Sequence, residues 1–169
     1  EIGGYVCGYH NLSQEGNCWI DDNVKVFGQA RILEHAYVKG NSIISDDAEV
    51  SGYAKVMGRA TIRENALIGE SCTVEDGAVI EGNVVLLGKV RITDNATLTG
   101  DVVIKGNCCI SGNAYCYGHA HIEGNVDAGS DCLIGGHAIV HGSIRLKDRA
   151  VIKEHAEVTG KCCISGTAK

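Results

Sequence analysis

The chain has no proline, and only one phenylalanine, one tryptophan and one methionine among 169 residues. With so few large side chains, no conventional aromatic core can form. The absence of proline beside 23 glycines points to many tight turns between short strands, not to a flexible linker. No apolar run approaches the roughly 20 residues that a membrane-crossing helix needs, and no stretch resembles a signal peptide. The formal charge of −6 is mild and scattered. Without a basic stripe, nucleic acid is excluded as an expected partner, and a membrane is excluded on the same reading. No Cys-x-x-Cys spacing occurs, so the nine cysteines do not suggest a metal knuckle. Their odd number and their placement predict free thiols in a reducing compartment, and hence a cytoplasmic protein. Two matches to the glycosylation pattern, Asn11-Leu12-Ser13 and Asn95-Ala96-Thr97, are read as chance.

What the chain does have is a period of six. Every sixth residue from Cys18 to Ala168 gives 26 positions, occupied by Ala, Cys and Val with one Ser (Ser42) and one Ile (Ile144). Every sixth residue from Ile20 to Ile164 gives 25 positions, of which 23 are Ile, Val or Leu, with Cys116 and Ala128 as exceptions. A third column from Gly16 to Gly166 holds Gly, Asp or Glu, broken only by Ser130. A helix would need a period near 3.6 and would not tolerate this glycine density. The repeating unit therefore reads as a short strand with an inward aliphatic, a turn, and a small residue filling the corner. Three units, about 18 residues, would close one coil, and about eight coils would stack at strand spacing into a prism roughly 40 Å long. The expected fold is all-β, a single-stranded parallel β-helix over residues 18–169. Residues 1–17 lie outside the register and are expected to cap the first coil, with Trp19 as their apolar anchor. The residue after the Gly/Asp/Glu column is often Asn (23, 41, 65, 83, 95, 107, 113, 125). Because Asn tolerates left-handed backbone angles, this slot is expected to carry them.

Units such as Val56-Met57-Gly58-Arg59-Ala60-Thr61 and Ile122-Glu123-Gly124-Asn125-Val126-Asp127 resemble those of the hexapeptide-repeat superfamily, whose fold is the left-handed parallel β-helix. Glycine stands two places after the aliphatic here, where that superfamily favours one; Ile68-Gly69 and Ile134-Gly135 keep the usual spacing. Left-handedness is what the resemblance implies, since periodicity does not report the hand, and a right-handed bactofilin-type helix is the alternative. Gly3-Gly4-Tyr5-Val6, Asn11-Leu12-Ser13-Gln14, Gly16-Asn17-Cys18-Trp19-Ile20 and Leu133-Ile134-Gly135-Gly136-His137-Ala138 are similar to segments of the YdcK-like branch, which has no established activity to transfer. The wider superfamily implies acyl transfer from an acetyl- or acyl-CoA donor, with a histidine base.

Three groups of residues are candidates for function. His119, His137 and His155 are 18 apart and should stack at one corner, with Asp101 one coil earlier and His121 and His141 nearby. His119 or His137 would serve as a catalytic base, and the three imidazoles are weak metal candidates. The plainer reading, favoured here, gives them the slot used elsewhere by Asn, as at His35. Cys18, Cys72, Cys108, Cys116, Cys132 and Cys162 fall on inward columns as small hydrophobes, whereas Cys109 and Cys163 point outward, too far apart for a disulfide. The outward columns supply the third group. One face carries Ile43, Val79, Tyr115, Leu133 and Val151; the next carries Leu67, Val85, Val103 and Ile139, with Leu33 and Leu87 close by. The third face, with Lys55, Arg91, Asp127 and Arg145, reads as solvated. Two adjacent apolar faces mark a partner surface, and another copy of the chain is the simplest partner. The expectation is a non-catalytic scaffold or self-association module without a cofactor. An acyltransferase is the alternative, opposed by an unbroken register that leaves no inserted loop to form a pocket.

Overall fold

The computed structural model describes residues 3–21 and 23–169; Asp22, one member of the third column, lies outside them. It is a parallel β-solenoid of about nine turns with 18 residues per turn, so the expected fold class is observed. Strands pair with the strand one turn later, always parallel: Thr61 with Val79, Leu67 with Val85, and Thr73 with Arg91. Three stacks of strands result. Face 1 contains Ile43–Ile44, Val79–Ile80, Tyr115–Cys116 and their equivalents. Face 2 contains Leu67–Ile68, Val103–Gly106 and Ile139–Leu146 among others. Face 3 contains Tyr37–Val38, Arg91–Ile92 and Cys109–Ile110 among others. Among the described residues the only helical element is a three-residue 3-10 turn, Tyr9–Asn11.

Most strands are two residues long, and one residue of each pair points inward. Period-two alternation with such short strands leaves one aliphatic per face per turn in the interior. Ile62, Ile80, Leu86, Ile104 and Ile122 are all fully buried, each above its counterpart in the previous turn. The small column lies at the corners, where Ala36, Ala48, Ala96 and Ala120 are equally inaccessible. Stacking like on like gives every core residue the same neighbours above and below, so a thin interior still excludes water along its length.

The corners depart from the expected conformation. Left-handed angles fall on the Gly/Asp/Glu column and not on the Asn or His that follows: Asp46, Asp76 and Asp94 have φ of 60–61° and Glu34, Glu64 and Glu154 of 58–63°. None of Asn41, Asn65, Asn83, Asn95, Asn107, Asn113 or Asn125 has positive φ. The carboxylates explain the choice. Gly52 N–H donates to Glu34 at 2.7 Å, Gly112 N–H to Asp94 at 2.8 Å and Gly166 N–H to Asp148 at 2.9 Å. An acid at the corner thus accepts from the corner amide one turn later, offsetting part of the cost of its backbone angle. The asparagines do different work, in side-chain ladders: Asn65 donates to Asn83 at 2.8 Å, and Asn113 donates to Asp131 at 3.0 Å.

The opening segment forms a first, irregular turn. Tyr5–Val6 and Leu12–Gly16 pair in parallel with Lys25–Val26 and Arg31–Glu34. The offset is 20 residues at Tyr5–Lys25 and Leu12–Ile32 but 18 at Gly16–Glu34, and a bulge between Leu12 and Gly16 absorbs the difference. Its anchor is Asn11 and not Trp19. Asn11 is fully buried; its Oδ1 accepts from the Gly8 N–H at 2.9 Å and its Nδ2 donates to the Ala30 carbonyl at 2.7 Å. Trp19 is 39 % exposed, on face 3. A buried amide with these partners cannot serve as a glycan acceptor, which agrees with reading that tripeptide as chance.

Candidate functional site

The alternation of one stretch builds the most chemically loaded part of the surface. From Tyr115 to Glu123 every second residue points outward, giving Tyr115, Tyr117, His119, His121 and Glu123 in one turn. His119 stands at the corner between faces 1 and 2, in the column Asn65, Asn83, Asp101, His119, His137, His155. This column is a continuous polar ladder. Asn65 donates to Asn83, Asn83 donates to Asp101 at 2.6 Å, and His119 Nδ1 lies 3.0 Å from the other oxygen of Asp101. Asp101 therefore stands between an amide donor and an imidazole. Beyond it the ladder changes character. The His119 and His137 rings stack at 4.7 Å between centroids with planes 12° apart, and His137 and His155 stack at 5.0 Å and 4°.

The spacing of 18 brought these residues together as expected, and the structure separates their roles. His119 alone of the three has a carboxylate beside Nδ1. His137 lies face to face between two other imidazoles. The neighbouring group is distinct: Glu123 lies 3.4 Å from His121 and 3.8 Å from His141. Among the described residues no three His, Cys, Asp or Glu side chains converge on a common point as a metal-ligating group.

Concavity is elsewhere. A shallow, open depression of about 600 Å³ runs along the corner between faces 2 and 3, lined by Thr73, Lys89, Arg91, Asn107, Cys109 and Asp127 among others. Three smaller ones of about 310, 240 and 180 Å³ lie at Arg59–Asp94, at Val6–Tyr9 and beside Val158 and Ile164. None of the four is lined by a histidine. Within the first, burial raises the Cys109 thiol and Arg91 is tied to Glu75, so neither a thiolate nor an unpaired guanidinium is presented. The core thiols are less reactive still: burial pushes Cys116 up to about 12 and Cys72 up to about 11. All nine cysteines are free, with Cys7 and Cys163 exposed.

The apolar columns are placed as expected, but they are not equivalent. On face 2, Leu67, Val85, Val103, His121 and Ile139 are consecutive neighbours across five turns. On face 1, Ile43 and Val79 alternate with Thr61 and Thr97, and only Tyr115, Leu133 and Val151 run on without interruption. Tyr115 and Ile139 are the most open, 38 % and 43 % exposed. One contributor was missed in the sequence. The Tyr117 ring, stacked 5.3 Å from Tyr115, lies over Gly135, where an added Cβ would fall 2.0 Å from it. The signal was the pair Gly135-Gly136, the one corner whose outward neighbour is also glycine. Face 3 is the solvated surface expected, with Arg145 3.7 Å from Asp127.

No protein-family model matches this chain, and no curated protein matches it. Its function is therefore argued from its own geometry.

Proposed function

We propose that the protein is a non-catalytic solenoid scaffold that associates with further copies of itself through faces 1 and 2. The observation that carries this reading is the unbroken row Leu67–Val85–Val103 on face 2, flanking the same corner as Tyr115, Leu133 and Val151 on face 1, while face 3 is charged. Apolar side chains aligned over several turns form one patch, which favours a protein partner over scattered surface exposure. The free thiols support a reducing, cytoplasmic setting. The resemblance of its units to those of the hexapeptide-repeat superfamily supports membership there, and a left-handed coil is what that resemblance implies. Changing Val79 and Val85 together to Lys should yield monomers with an unaltered β circular dichroism signal. If sedimentation shows the unmodified protein to be monomeric at high concentration, the reading fails.

One observation favours a second reading, that of an acyltransferase using an acyl-CoA donor. Asp101 lies 3.0 Å from His119 Nδ1, within reach of the orienting contact that a general base needs, so His119 is a better candidate than His137. None of the four depressions is lined by His119, which places this reading second. Calorimetric binding of coenzyme A that His119→Asn abolishes would reverse the order.

A further inference from the structure

The histidine ladder has a property that neither reading uses. Two imidazoles in adjacent turns, exposed and parallel, can turn their nitrogens onto one ion. From the geometry we infer that His119 and His137 form a two-histidine site for a borderline divalent cation of the zinc, nickel and copper group. Three observations support this. The centroids are 4.7 Å apart, and both side chains are exposed and free to tilt. Two nitrogens bound to one such ion at about 2.0–2.1 Å lie roughly 3 Å apart, so the rings must turn out of their parallel stack until their lone pairs converge, a rotation for which their exposure leaves room. Asp101, with a carboxylate oxygen 3.0 Å from His119 Nδ1, stands close enough to become the outer carboxylate that most metal-bound histidines have once the ring turns.

Imidazole is a ligand these ions prefer to oxygen, and harder ions such as magnesium and calcium would not compete. Two protein ligands leave the remaining positions to water, so the site is exchangeable. This also fits the absence of a three-ligand group among the described residues. His155 is the lesser partner, because no carboxylate orients the 137–155 pair. The site stands whether or not the chain self-associates.

The test uses the full chain with Cys7 and Cys163, the exposed thiols, changed to Ser in every sample. Ni²⁺ titrated calorimetrically should bind with a stoichiometry of one. Asparagine already occupies this column at 65 and 83, so His119→Asn and His137→Asn should fold normally, verified by unchanged circular dichroism. Either should weaken binding at least about tenfold, and Asp101→Asn about tenfold through its effect on His119. His121→Asn with His141→Asn should leave binding within about twofold. No Ni²⁺ binding by the parent, wild-type affinity in His137→Asn, or loss of binding in the His121/His141 variant would each overturn the assignment.

Discussion

The solenoid turns its corners in two ways, and both fall on the same column of the sequence. At tight corners the left-handed residue has φ between 53° and 75°, as at Glu70, Asp94 and Gly118. Many of these close a hydrogen bond from the residue two places on, as in Ala48 to Ser45 and Ala96 to Thr93 at 3.3 Å. At wide corners φ lies between 80° and 126°, as at Gly82, Gly100, Gly124 and Gly142, and every such residue is glycine. The inward residue that follows differs accordingly. Ala36, Ala54, Ala78 and Ala114 follow tight corners; Val84, Val90, Val102, Val126 and Ile144 follow wide ones. A tight turn draws the next Cβ towards the corner and leaves room for a methyl or thiol. A wide one lets the chain keep to the sheet, so that Ile139–Leu146 runs through its corner as one strand and leaves room for a branched side chain. A branched inward residue thus requires a wide corner, although wide corners also precede the small residues Cys18, Ser42, Cys108 and Cys162.

The sharpest way to break this comparison is to exchange the corner residues. Gly124 has φ of 109°, outside the range open to other residues, and an added Cβ would fall 2.6 Å from the Gly142 carbonyl. Gly124→Asp should cost about 3 kcal/mol or more in urea unfolding, through backbone strain and the displaced turn above it. Gly118, at 74°, approaches the angles that Asp76 and Asp94 adopt. An added Cβ would fall 2.7 Å from the Gly136 carbonyl, much as at Gly124, so the contrast lies in the backbone angle; the new carboxylate can take the Gly136 N–H, and Gly118→Asp should cost distinctly less than Gly124→Asp. Equal costs would show that the two corner classes are one.

Next in size is the volume of the corner residue. Ala96 and Ala120 are fully buried behind tight corners, and Leu at either should overpack the interior by about 1–3 kcal/mol. Val126→Leu, behind the wide corner at Gly124, should cost distinctly less by the same thermal melt. Unchanged melting of both alanine variants would mean that corner width does not limit the core.

How much of this was legible follows the same division. The period of six set the inward columns because a face is either buried or not, and nothing tertiary can change that parity. The stacking of His119 on Asp101 followed from the spacing of 18 alone. The left-handed slot was misassigned because propensity favours Asn there, and a single unit does not show that Asp94 can reach the amide of Gly112 one turn away. Asn11 was missed for a related reason: its partners at Gly28 and Ala30 lie outside its own segment. The split of the small column into Ala and Val was visible, but glycine precedes both, and a pattern of identities carries no dihedral angle. Local propensity fails in this chain where the partner is the turn above.

The smallest effect expected concerns a carboxylate corner and sharpens the comparison by pH. Asp76 accepts from the Thr93 hydroxyl at 2.6 Å and from the Asp94 N–H at 3.4 Å, and these bonds hold its carboxyl below the usual range. A depressed folded-state value means that the contribution is fully present above the unfolded carboxylate value near 4. It is lost as pH falls through the lower folded value. The side chain is solvent-exposed, so the loss should appear as a shallow decline in melting temperature below about pH 4, and not as acid unfolding. Thr93→Val removes the larger of the two causes and should flatten that decline while leaving the melt at pH 7 slightly lower. A glycine corner offers no such group. The opposite change, Asp76→Gly, should therefore remove the same portion of the acid dependence and leave the tight turn in place. If Thr93→Val and the parent decline in parallel from pH 5 to pH 2, the carboxylate corners are held by their backbone angle alone, and the bonds between turns contribute nothing to the choice of acid.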